Sequence, residues 1–210
     1  MKLGTVLVFL KYPRPGRVKT RLAAVVGGER AAELYRGWIG LVLRRLQPLR
    51  PRVDVVGCHD GGPAELFGEW RHLADDWRAQ ADGDLGTRLE AAFADAFSDG
   101  RPVVAVGTDC LEADADLVAE AFAALRSQDA VFGPAADGGY YLVGAARRLP
   151  GFFDGVRWSS ADTLRDHLER CRRGGWSAAL LPPRHDIDTW DDWQAYLQRQ
   201  RGGDDGERGD

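Results

Sequence analysis

TVLVFLKYPRPGRVKTRL, residues 5–22, sets an apolar strand against a rigid, cationic loop. Thr5–Leu10 is β-rich and almost wholly apolar, which predicts a strand buried on both faces of a parallel sheet. Pro13, Pro15 and Gly16 then forbid regular structure, so the chain turns over the strand's C-terminal end as an irregular loop. Lys11, Arg14, Arg17, Lys19 and Arg21 decorate it. A loop at this edge of an open α/β sheet, leading into a helix, is where phosphates bind, because free backbone N–H groups and the helix dipole favour an anion. A solvated basic turn would carry the same charges; the shape fixed by Pro and Gly favours the binding loop. The run matches neither the Gly-x4-Gly-Lys-Ser/Thr nor the Gly-x-Gly-x-x-Gly pattern.

Outward from this stretch, 210 residues with 44% apolar content, seven Trp and eight Phe suit one α/β domain over residues 1–200. Gly202–Asp210 (GGDDGERGD) is polar and Gly-rich, and a disordered tail is expected over 201–210. No run of eighteen apolar residues exists and the start lacks a secretory pattern, so no membrane span and a cytoplasmic location are expected. Cys58, Cys110 and Cys171 are odd in number and widely spaced, against both a disulfide framework and a structural zinc site. A net charge of −4 argues against bulk nucleic-acid binding, because the positive charge is local.

Glu29–Leu46 repeats apolar residues, Tyr35 and Trp38 among them, at three- and four-residue steps, which predicts an amphipathic helix. Val53–Cys58 reads as the next strand, completing a βαβ unit, and Pro63–Phe67 as a short helix. Trp70–Gly86 has little periodicity. Gly83 and Gly86 allow tight bends before a helix over Leu85–Phe97, and Asp84 is placed to cap it. The central strand is Pro102–Gly107. Asp109, at its tip, is the strongest single candidate, because a carboxylate there must be solvated, paired or bound to a cation. Asp114 is better placed to cap Ala115–Leu125.

Ala130–Gly133 and Tyr140–Val143 read as strands joined through Asp137-Gly138-Gly139. Those bare glycines would let a ligand approach the backbone, or serve only as a hairpin turn. The aromatics Phe152, Phe153 and Trp158 read as core, Ser159 as the cap of a helix reaching Arg172 with Asp162 in its capping box, and Trp176–Leu181 as the last strand. In His185-Asp-Ile-Asp-Thr189, alternation would turn Asp186 and Asp188 to one side and bury Ile187 opposite. Such carboxylates suit a hard divalent cation that also takes phosphate oxygens, and with Asp109 they would complete one site. His185 flanks it. Thr189 and Asp192 read as a cap for a helix over Trp190–Gln200.

The opening Lys11-x-Pro13-x-Pro15-Gly16-x-x-Lys19-Thr20-Arg21-Leu22 resembles the N-terminal signature of a bacterial family of small nucleotide-diphospho-sugar transferase-like proteins, described as glycosyltransferases and in part linked to arsenosugar biosynthesis. Gln80, Gly83-Asp-Leu-Gly86, Arg88-Leu89, Gly107-Thr-Asp-Cys110 and Gly133-Pro-Ala-x-Asp137-Gly-Gly-Tyr-Tyr-Leu142 match its further motifs; Leu111 stands where that family has Pro. Lys19–Leu22 is distantly similar to the phosphate loop of phospholactate guanylyltransferases, and the overall plan to molybdopterin guanylyltransferases.

The resemblance implies a GT-A-like domain with a mostly parallel mixed sheet flanked by helices. It implies nucleotide or phosphate binding by Lys11, Gly16, Arg17, Lys19, Arg21, Gln80, Gly83 and Arg88. Asp137, Gly138 and Gly139 fall on the donor or acceptor side, Asp109, Asp186 and Asp188 around Mg²⁺ or Mn²⁺, and Asp109, Asp137 and Lys19 in catalysis. Expected partners are a nucleotide sugar or nucleoside triphosphate and a small acceptor. Glycosyl transfer comes first, nucleotidyl transfer to a phosphorylated small molecule second, and a nucleotide-binding module without turnover third.

Overall fold

The computed structural model describes residues 2–204. Strand β1 (Thr5–Lys11) lies inside the sheet, flanked by β2 (Asp54–Asp60) on one side and the central strand β4 (Val103–Gly107) on the other, both parallel to it. Beyond β2 lies β3 (Asp76–Ala79); beyond β4 lie β6 (Tyr140–Ala145), β5 (Ala130–Pro134) and β7 (Ala178–Leu180). The order is β3-β2-β1-β4-β6-β5-β7, and β6 is the strand that runs against its neighbours.

The alternation of β1 divides the interior. Val6, Val8 and Leu10 enter one core with Tyr35, Trp38, Ile39 and Leu43 of helix α2 (Gly28–Arg45), whereas Leu7 enters the other with Phe93 of α3 (Leu85–Ala96). Helix α5 (Thr163–Gly174) supplies His167 and Cys171 on that second face. Helices α1 (Thr20–Val26), α4 (Ala115–Ala124) and α6 (Trp190–Asp204) complete three layers around a sheet buried on both sides.

Several expectations are corrected. The seven-residue α1 ends at Gly27, whose φ of 84° is open to glycine at no steric cost, before α2 begins. The aperiodic region contains the four-residue β3, too short to declare a period, with the Trp77 ring lying over Gly57 of β2. Ala64–Leu73 is a 3₁₀ segment longer than the short helix expected. Ser159 does not cap α5: the helix starts at Thr163, and the Asp162 carboxylate pairs with Arg157 and Arg165 at 2.8 Å instead of capping. The last helix continues past Gln200 to Asp204, as adding residues to a formed helix costs little. The rest of the expected tail, 205–210, lies outside the described residues.

Candidate active site

The C-terminal ends of β1, β2 and β4 open on a cleft of about 500 Å³ whose walls include Lys11, Tyr35, Asp60, Gln80, Arg88, Asp109, Asp137, Trp158, Asp186 and Asp188. A second lobe of about 290 Å³, lined by Lys11, Arg17, Lys19, Thr20, Arg21 and Tyr35, shares Asp109 and Asp188 with the first. The cationic loop and the acidic groups therefore border one continuous depression, although Lys19 and Asp188 are 169 residues apart.

Backbone geometry sets this convergence. After β4 the chain bends at Thr108, whose hydroxyl is 2.8 Å from the Tyr35 hydroxyl, and Asp109 emerges at the rim. The Ile187 amide donates to the Asp109 carbonyl at 3.0 Å, and the Ile187 side chain is buried, which leaves Asp186 and Asp188 on the cleft side as the alternation requires. Thr189 and Asp192 cap α6 reciprocally: the Thr189 amide donates to Asp192 Oδ2 at 2.8 Å and the Asp192 amide to Thr189 Oγ1 at 3.2 Å.

Lys19 ties these parts together. Its ammonium donates to Asp188 Oδ1 at 2.8 Å and the Ile187 carbonyl at 2.6 Å, and lies 2.9 Å from Asp109 Oδ1. Burial acts to lower its pKa, but Asp109 and Asp188 outweigh burial and raise it above the ordinary lysine range. Its backbone is left-handed at φ 47°; among the described residues the other non-glycine residue of positive φ, Ser159, also lines the cleft. The Tyr35 ring centroid is 5.9 Å and the Trp38 centroid 5.6 Å from the ammonium. Burial and the charge of Asp109 push the Tyr35 hydroxyl up to about 12, so it is neutral at physiological pH, and it accepts from the Lys11 amide at 3.2 Å.

Asp186 is the strained member of the acidic group. Its Oδ1 is buried without a hydrogen-bond partner among the described residues. Burial first, then Asp109, pushes its carboxyl up to about 7 against the pull of Lys19, with Asp137 and Asp188 adding to the rise. One ammonium thus leaves the carboxylates short of positive charge. Among the described residues no group of three or more His, Cys, Asp or Glu side chains is placed to hold a metal ion. A partial carboxylate set of this kind fits Mg²⁺ or Mn²⁺, which take one or two carboxylates and complete their shells with water and substrate phosphate.

The other expected residues divide by what engages them. Lys11, Arg14, Gly16, Arg17 and Arg21 are exposed along the loop; Lys11, Arg17 and Arg21 line the lobes, and Arg21 has a long 3.8 Å pair with Asp188. Gln80 faces inward: its amide donates to the Cys58 carbonyl at 2.8 Å and the Leu10 carbonyl at 3.2 Å, tying β2 to β1. Arg88 binds Asp60 at 2.9 Å, Gln80 Oε1 at 3.2 Å and the Gly83 carbonyl at 2.9 Å, and Asp84 caps α3 through the Thr87 amide at 2.8 Å. This network shapes the wall of the cleft and fixes the Gly83 bend. Asp137 lies at the rim, Oδ1 accepting from the Gly139 amide at 2.9 Å, beside Gly138 and Gly139 in the β5–β6 turn. His185 is exposed.

Tyr35, Thr108, Asp60 and Trp158 belong to the cleft without having been singled out for it. Tyr35 follows the apolar spacing of a core helix, and Trp158 follows two phenylalanines that are core, so spacing hides both. Asp60, a carboxylate at a strand's C-terminal tip like Asp109, carried the signal that could have found it.

No curated protein matches the sequence. The model of the family described as "uncharacterized protein conserved in bacteria (DUF2064)" matches residues 43–160. A candidate nucleotide-diphospho-sugar transferase from Desulfovibrio desulfuricans G20 is 39% identical with a TM-score of 0.82, over 90% of this chain and 84% of that one. The 4-diphosphocytidyl-2C-methyl-D-erythritol synthase of Anaerococcus prevotii DSM 20548 is 10% identical, with a TM-score of 0.62 over 94% and 99% of the two chains. Rv0371c of Mycobacterium tuberculosis H37Rv, in complex with manganese, is 16% identical, with a TM-score of 0.55 over 93% and 98%. These last two are likenesses of fold. The chain belongs to the bacterial DUF2064 family, and its fold is that of the nucleotide-diphospho-sugar transferases.

Proposed function

We propose that the protein is a metal-dependent transferase using a nucleotide-activated donor, and that it transfers a glycosyl group from a nucleotide sugar to a small acceptor. The observation that carries this reading is the cleft itself, where the cations of the β1 loop face Asp109, Asp186 and Asp188 across a distance that Lys19 spans. Lys11, Arg17 and Arg21 hold the donor's diphosphate; Asp109, with Asp188 and Asp186, holds Mg²⁺ or Mn²⁺. When bound, the ion neutralises charge on the leaving diphosphate. The acceptor hydroxyl oxygen attacks the sugar carbon, the bond from that carbon to the phosphate oxygen breaks, nucleoside diphosphate departs and the hydroxyl proton passes to solvent. Asp137, with the open backbone of Gly138 and Gly139, meets sugar or acceptor hydroxyls at the rim. Catalysis is then positioning and electrostatic stabilisation. The identity to the D. desulfuricans protein and the manganese complex of Rv0371c support the donor class and the metal.

One observation favours a second reading. Lys11, Arg14 and Arg17 have no carboxylate partner among the described residues, and this much unpaired charge suits a triphosphate as well as a diphosphate. Nucleotidyl transfer to a phosphorylated acceptor would release pyrophosphate. Incubation with pooled nucleotide sugars or pooled nucleoside triphosphates, with Mn²⁺ and candidate acceptors, separates the two. Nucleoside diphosphate from the first pool is the expected product; pyrophosphate from the second selects nucleotidyl transfer. Binding without either product would leave a nucleotide-binding module.

A further inference from the structure

An ammonium has three N–H donors, and those of Lys19 face Asp109, Asp188 and the Ile187 carbonyl at 2.9, 2.8 and 2.6 Å. None remains for a phosphate. The side chain is 5% exposed, against 71% for Arg21 of the same loop. Phosphate recognition by Lys11, Arg17 and Arg21 therefore needs no help from Lys19 as it stands. Lys19 instead occupies the place of a cation bridging the β4 tip to the C-terminal segment, on oxygens of the carboxylates assigned to the metal.

Resting on the reading that Asp109 and Asp188 bind a divalent ion, we propose that the Lys19 ammonium is their built-in counter-cation in the ligand-free protein, yielding them to the metal only when a diphosphate is present to receive it. A divalent ion and an ammonium on the same two carboxylates repel each other at close range. A diphosphate removes that conflict, because Lys19 lines the phosphate lobe beside Arg17, Thr20 and Arg21. Beside these carboxylates, Asp186 Oδ1 is buried with no hydrogen-bond partner among the described residues while the ammonium is in place. Metal and diphosphate then bind interdependently: each alone binds weakly, and the donor's arrival completes the site.

Mn²⁺ binding, followed by the paramagnetic resonance of the free ion, tests this with pyrophosphate as the probe. Lys19→Met is expected to bind Mn²⁺ alone at least tenfold more tightly than wild type and to lose most of the pyrophosphate-induced gain; Lys19→Arg keeps wild-type behaviour. A merely structural lysine predicts the opposite, since its loss would loosen Asp109 and Asp188, so unchanged or weaker Mn²⁺ binding by Lys19→Met overturns the proposal. Adding Asp109→Asn separates the two levels. If the Mn²⁺ gained by Lys19→Met survives it, the metal lies elsewhere and the functional reading fails. If Lys19→Met gains nothing while Asp109→Asn abolishes pyrophosphate-assisted binding, only the counter-cation role fails. Should Lys19→Met not fold, the Lys19 ¹⁵Nζ resonance of wild type serves: it should stay in place with Mg²⁺ alone and move with Mg²⁺ and pyrophosphate. Movement with Mg²⁺ alone, or none with both, refutes the proposal.

Discussion

At the residue scale, two kinds of charge meet in the cleft and respond differently to removal. Asp109 is about half exposed but the Lys19 ammonium it faces is 5% exposed, so Asp109→Asn should cost about 1–3 kcal/mol of stability, as expected when a buried charge loses one of its two carboxylate partners. The same change removes the proposed metal ligand and should lower kcat on the order of 10²-fold, the size of a lost electrostatic contact to developing charge. Steady-state rates at saturating Mn²⁺, set beside urea melts, check both halves; a variant with near-wild-type rates would remove Asp109 from the site. Arg17 and Arg21 are exposed, and joint replacement by Ala should leave the melt within about 0.5 kcal/mol. Nucleotide affinity should fall roughly tenfold at low salt and less as added salt screens the same charges. Titrations at two ionic strengths measure it, and an equal loss at both would point to a packing role. Asp109 and the loop cations are legible in the sequence because a charge at the tip of a buried strand, or on a loop held by Pro and Gly, calls for a counter-charge or a ligand. Tyr35 is concealed there, since its hydroxyl reaches Thr108 while its ring obeys the helix's apolar period.

At the scale of elements, the β5–β6 turn and the start of α5 support one wall of the cleft. Gly138 has φ 90°, and a Cβ placed on it would lie 2.2 Å from the Ala161 carbonyl oxygen. Gly138→Ala therefore requires the turn and the Ser159–Ala161 segment to separate, at a cost of about 2 kcal/mol or more. Acceptor KM should rise with it, and urea melts beside kinetics would show whether the two changes accompany each other. Helix α5 also carries His167, fully buried among Phe132, Tyr140, Phe152 and Phe153. Burial pushes its pKa down from 6.5 to about 3. The unfolded chain takes up this proton below about 6.5 while the folded protein resists until about 3, so the contribution is complete above pH 6.5 and lost as pH falls through that window. Wild type should lose more stability than His167→Leu between pH 7.5 and 4.5; equal losses in paired urea melts would show that His167 does not titrate this way. The hairpin, the helix over α3 and the α6 cap could be read from turn and capping residues. Strand β3 and helix α1 could not, since four and seven residues are too few to establish a period.

At the scale of the molecule, the sheet's order explains why distant segments share one cleft. β1 and β4 are adjacent and parallel, so the loop after one and the aspartate after the other leave the same edge, and the segment after β7 is pinned there by the Ile187 amide. The apolar runs foretell an α/β sheet, but strand order and the single reversed strand depend on long-range pairing that local pattern does not encode. The coming together of Lys19, Asp109 and Asp188 was foreseeable from the motifs; their direct ion pairs were not, because burial and side-chain reach decide them. Calorimetric titration of pyrophosphate, a stand-in for the donor's diphosphate, with and without Mn²⁺ into wild type, Asp109→Ala and Arg17→Ala/Arg21→Ala tests the central claim most directly. Tight binding should require Mn²⁺ in wild type and weaken at least tenfold in either variant. Binding that is equally tight without Mn²⁺ and indifferent to Asp109→Ala would contradict a diphosphate held between the loop and the carboxylates.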